Sequence, residues 1–139
     1  MERPQNLSFR SDLRLMIFRP CGILNQELID TTIAFLEEEE ERAQHPFNRF
    51  SDLSKLDAID LEFGYVFRVA LHRRLIYAGR PPVKSAFYAP NKATERIVRI
   101  PALVTDDSPL QIKIFNEISK AAEWLGVSPE DLEEKASLG

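Results

Sequence analysis

Four short apolar runs, each followed by a stretch of helical periodicity, alternate along this chain, and that alternation restricts it to a layered α/β architecture. The runs lie at 13–19, 47–53, 83–89 and 110–115. The first follows residues 7–10 across Ser11-Asp12, which reads as a hairpin or two abutting strands, with Leu13, Leu15 and Ile17 facing the core. Asn25 is placed to cap a helix in which Leu28, Ile29, Thr32, Ile33 and Leu36 form one buried face, and the acidic run at 37–41 carries it out into solvent. Residues 54–57 read as a turn, with Asp57 or Asp60 capping the next helix. That helix, over 59–78, is apolar on more than one face, which predicts a largely buried element stopped by Gly79. Asn91 caps a third helix to about Val104, kinked or split by Pro101. Asn116 caps a last long helix with Ile118, Ala121, Ala122 and Leu125 inside, and Ser128-Pro129 starts a short helix over 130–136. This order predicts a mostly parallel sheet of four to five strands with right-handed crossovers and helices packed against it.

A chain of 139 residues with 44% apolar composition closes one hydrophobic core, so residues 1–139 are expected to form a single domain, with 127–139 as a terminal helix or tail. Its 18 basic against 22 acidic residues give a net charge of −4, which sets up no field for capturing a polyanion. Nucleic acid is therefore not an expected partner. Cys21 is the only cysteine, and the opening residues lack the apolar core of an export signal, so a cytoplasmic chain is expected. No run approaches the roughly 18 apolar residues of a membrane span.

Three stretches carry a resemblance. Gly22-Ile23-Leu24-Asn25 forms a glycine-containing turn into the first helix, and 51–60 runs from an apolar strand through Asp-Leu-Ser to Ile59-Asp60. Residues 110–115 are followed by Ala121-Ala122-Glu123-Trp124-Leu125-Gly126. In this order and spacing, over 13–126, the chain resembles the STAS domains, the anti-sigma-factor antagonist family, and within them the SpoIIAA-like branch. The resemblance implies a non-catalytic regulatory or protein-interaction module. It also implies an alternative, a carrier or sensor of a small apolar or lipidic ligand at a membrane surface. Regulatory members of that family carry a phosphorylated serine or threonine after the apolar-Asp pair, whereas here Leu61 and Glu62 follow Asp60, with Gly64 one place later than the family glycine. A phosphorylation switch at this loop is therefore not expected, since Glu62 has one fixed charge and no hydroxyl. Ser51, in a strand, and Ser54, at a turn, read as structural.

Several clusters bear chemistry. Asp52, Asp57, Asp60 and Glu62 crowd one strand-to-helix loop, and Asp57, Asp60, Glu62 and Gly64 form the candidate partner-binding loop; their plainer role is to cap a helix and complement its dipole. Arg68, His72, Arg73, Arg74, Arg80 and Lys84 are the one basic concentration, a candidate contact for an anion or a membrane, although cations near a helix C-terminus are favoured by the dipole alone. Phe63, Phe67 and Phe87 are candidates to line an apolar pocket, against the simpler expectation that large aromatics fill the core. His45, His72 and Cys21 have no metal-ligand spacing, and no phosphate loop, nucleophile elbow or zinc motif occurs, so no metal, cofactor or catalytic residue is assigned. The expected partners are a protein or an apolar small molecule, with a homodimer as the commonest assembly if the chain associates.

Overall fold

The computed structural model describes residue 4 and residues 6–133. Strands β1 (Leu7–Arg10) and β2 (Leu15–Phe18) form the expected hairpin, and β4 (Asn48–Asp52), β6 (Val83–Tyr88) and β7 (Leu110–Phe115) join them in one sheet of order β1-β2-β4-β6-β7. Only the β1–β2 pairing is antiparallel; β2–β4, β4–β6 and β6–β7 are parallel. All four residues of β2 are buried, which follows from helices covering both faces of a parallel sheet. Strand alternation then sorts the residues. Leu15, Ile17, Phe50 and Ala86 point to one face and pack with Ala121, Ala122, Leu125 and Leu132. Met16, Phe18, Arg49, Ser51 and Ser85 point to the other.

The connections are α1 (Gln26–Ala43), α2 (Phe63–Tyr77) and α3 (Lys92–Val104), followed after β7 by α4 (Ile118–Leu125) and α5 (Pro129–Leu132). Crossovers between parallel strands keep one hand, so a sheet that adds each new strand on the same side must carry all its connecting helices on one face. Residues of α1, α2 and α3 do line the Met16 and Phe18 face, and only α4 and α5 pack on the other. Asn25 caps α1 as expected, its side chain accepting from the Leu28 N–H at 2.9 Å.

Several elements differ from expectation. A second, two-stranded parallel sheet joins β3 (Gly22–Asn25) and β5 (Leu56–Asp60), where a turn into the first helix and, for β5, a turn and the start of the next helix were expected. Asp57 and Asp60 therefore lie in a strand, and the residue at the N-cap of α2 is Glu62, which makes no side-chain cap bond. The turn ahead of β5 is held by Asp52, whose Oδ1 accepts from Ser54 N at 2.9 Å and Ser54 Oγ at 2.6 Å. Helix α3 continues through Pro101, which near its C-terminal end removes a single backbone donor. Asn116 is not the cap of α4; Glu117 occupies that position, and the helix is eight residues long. Ser128 and Asp131 complete a capping box on α5, while residues 134–136 of the expected terminal helix lie outside the described residues.

Candidate functional site

Helix α2 is apolar on two opposite sides. Successive residues of a helix rotate by about 100°, so Tyr65, Val66, Val69, Ala70 and Arg73 share one side, and Phe63, Phe67, Leu71 and Leu75 share the other. The first side faces the sheet. The second is open to solvent, with Phe63 67%, Phe67 51%, Leu71 43% and Leu75 67% exposed, which corrects the expectation of a largely buried helix. Two-sided apolarity signals burial from sequence, but here only one side is covered.

Beneath α2 lies a cavity of about 190 Å³. Met16, Phe18, Arg49, Ser51, Ser85 and Phe87 form its floor, with Leu110 and Ile112 from β7 extending it. Ile29, Thr32, Ile33 and Leu36 of α1 and Ile97, Val98 and Pro101 of α3 make the walls. Of the three expected pocket aromatics only Phe87 lines it; Phe63 and Phe67 belong to the i, i+4 stripe that runs on through Leu71 and Leu75, and they are exposed. A tyrosine ties the roof to the wall: Tyr65 Oη donates to Asp30 Oδ1 at 2.5 Å, and burial followed by that carboxylate pushes the phenol well above its usual range.

One end of the cavity is ionic. Glu40 and Arg49 are each only 5% exposed and pair at 3.2 Å, and Glu40 Oε2 also accepts from the Phe47 N–H at 2.8 Å. Tyr77, fully buried, donates its hydroxyl proton to Glu40 Oε1, and its oxygen accepts from Arg49 Nη2 and, at 3.0 Å, from Arg73 Nη2. Its ring also receives the Arg49, Arg73 and Arg80 guanidiniums at 5.1, 5.0 and 5.7 Å from its centroid. Arg73 completes the network by donating to Glu37 Oε1 at 2.8 Å. Burial, and then the charge of neighbouring Arg49, hold the Arg73 guanidinium below its ordinary value, while burial pushes the Tyr77 phenol up. Two buried side-chain atoms have no partner among the described residues, Arg49 Nε and Thr32 Oγ1, and both residues line the cavity.

The acidic run of α1 is thus not wholly solvated: Glu40 continues the buried stripe of Thr32 and Leu36 at a spacing of four. Glu40, Arg49 and Tyr77 were not legible as functional residues; the available signal was a charge inside β4, next to Phe50.

The basic concentration is dispersed. Arg73 is buried in the network and not on the surface, and Arg74 Nη1 caps α3 by donating to the Val104 and Asp106 carbonyls at 2.9 and 2.6 Å. Lys84 reaches the opposite face, donating to the Trp124 carbonyl at 2.8 Å. Arg68, His72 and Arg80 remain exposed, the first two flanking the apolar stripe of α2. Asp57, Asp60, Glu62 and Gly64 are exposed together around the start of α2, whereas Asp52 is buried against Arg19 at 3.3 Å. Among the described residues no group of three or more His, Cys, Asp or Glu is placed to hold a metal, and no helix is long and apolar enough to cross a membrane.

No family model matches the sequence, and no curated protein matches it closely. A crystal structure from Shewanella loihica PV-4, of a protein of the DUF3478 family described as having a SpoIIAA-like fold, is similar at a TM-score of 0.56 and 19% identity, over 86% of this chain and 90% of that one. The chain has the SpoIIAA-like fold, as the three quoted stretches implied.

Proposed function

We propose that this SpoIIAA-like chain is a non-catalytic binding module that takes a small apolar ligand into the cavity beneath α2. The cavity is the observation that carries this reading. Its volume of about 190 Å³ exceeds the ~150 Å³ of an apolar void that admits benzene, and falls short of the roughly 300–1,000 Å³ of sites for drug-sized molecules. A compact ligand matches that size. A binding role is favoured over a catalytic one by the state of the buried acid: both oxygens of Glu40 already accept hydrogen bonds, so it offers no free base. Native mass spectrometry of freshly purified protein is expected to show a bound species of low mass that leaves on denaturation. Spectra holding only the bare chain mass, in repeated preparations from different growth conditions, would sink the reading.

A second reading rests on the exposed side of α2. Phe63, Phe67, Leu71 and Leu75 form a continuous apolar stripe beside the acids Asp57, Asp60 and Glu62, a combination suited to a protein partner with an apolar contact face and a basic rim. Binding to such a partner is expected to weaken about tenfold or more when Asp60 and Glu62 are both replaced by lysine. A partner held equally well by that variant counts against this reading.

A further inference from the structure

We propose that the ligand of this cavity is a small carboxylic acid, its carboxylate seated on Arg49 at the floor and its apolar body lying under α2. The inference rests on the ligand-binding reading and adds the head group. Arg49 is 5% exposed and lines the cavity, yet its Nε has no partner among the described residues. A buried guanidinium N–H left unmet is costly, and the strongest acceptor for it is an anion. The cations also lie deeper than one of their partners: the guanidiniums of Arg49 and Arg73 are buried with Glu40, whereas Glu37 is 36% exposed at the rim. The network itself is charge-balanced, two guanidiniums against two carboxylates, so it is the unmet Nε–H of Arg49 that carries the head-group assignment.

Neighbouring groups extend the seat. Ser85 is the cross-strand partner of Arg49 in the β4–β6 register, and Ser51 is two residues along the same strand, so two hydroxyl-bearing residues share the cavity floor with Arg49. Thr32 brings a further unpartnered hydroxyl from the α1 wall. The rest of the lining is mainly aliphatic, which favours an apolar body and one charged end over a polar molecule.

The test pairs each acid with its alcohol: benzoate with benzyl alcohol, and hexanoate with hexanol, titrated into the full chain and followed by NMR. At least one acid is expected to bind about tenfold or more tightly than its alcohol and to shift the Arg49 Nε–H resonance of the wild-type protein. In the double variant Glu40→Gln/Arg49→Gln, which removes both charges of the pair together, the preference is expected to fall to about twofold or less. Equal binding of acid and alcohol overturns the head-group assignment and leaves the apolar-ligand reading intact. An acid preference that leaves the Arg49 Nε–H resonance unmoved, or that persists in a folded double variant, overturns the seat at Arg49. Binding of none of the four compounds overturns both this inference and the ligand reading on which it rests.

Discussion

Replacement of Glu40 by alanine is expected to lower the free energy of unfolding by about 3–5 kcal/mol, the range for removing one partner of a buried ion pair. The size follows from what is left behind. Arg49 loses its carboxylate and remains buried, Tyr77 loses the acceptor of its hydroxyl proton, the Phe47 N–H loses its acceptor, and Arg73 then faces another guanidinium with less compensation. Each of those groups was taken out of water on the condition that Glu40 met it. Urea denaturation of the wild type and the variant gives the difference directly, with the slope m checked for constancy. A companion variant separates the worth of the pair from the damage of breaking it: Glu40→Leu with Arg49→Met replaces both charges by apolar groups and is expected to recover most of the loss. A loss below about 1 kcal/mol in Glu40→Ala would mean that the charges are solvated and the network is not a buried one.

Ala70→Leu is the second large effect, and it falls on binding. Ala70 sits on the inward side of α2, lines the cavity and is 2% exposed. Leucine there projects three further carbons into the empty space, gaining up to about 2 kcal/mol of apolar burial at roughly 0.8 kcal/mol per carbon, against about 1–3 kcal/mol if its rotamers are strained. These terms are similar in size, so stability is expected to stay within about 2 kcal/mol of the wild type. Ligand has no such compensation. The species bound in native mass spectra is expected to vanish from Ala70→Leu while the variant keeps its far-ultraviolet circular dichroism. Retention of that species in the folded variant would place the ligand elsewhere.

The layered order was readable because the strands at 83–88 and 110–115 carry β-branched and aromatic residues, the strand at 48–52 centres on Phe50, and Pro46, Pro82 and Pro109 punctuate the chain just ahead of them. The strands at 22–25 and 56–60 were not, because each is short, polar at one or both ends, and adjoins a helix whose own periodicity runs into it. Both acquire strand geometry from pairing with each other, a contact between segments some thirty residues apart that no local window contains. The site divides in the same manner. Phe87 was legible as a lining residue because it lies on an apolar strand, while Phe63 and Phe67 were misplaced because hydrophobicity alone does not say which of two apolar helix sides meets the sheet. Arg49 and Glu40 escaped notice since a buried pair is made by the tertiary fold, and either residue alone reads as surface.

The strand order β1-β2-β4-β6-β7 carries a consequence for the chain as it emerges from the ribosome. Every strand joins the rim formed by its predecessor, so the layer holding the three connecting helices can assemble progressively from the N-terminal side. The reverse surface, with Leu15, Ile17, Phe50 and Ala86, waits for Ala121, Ala122, Leu125 and Leu132, which follow all five strands of that sheet along the chain. A nascent polypeptide halted just after Phe115 would expose that greasy sheet, so the two short helices that come next shield it against clumping.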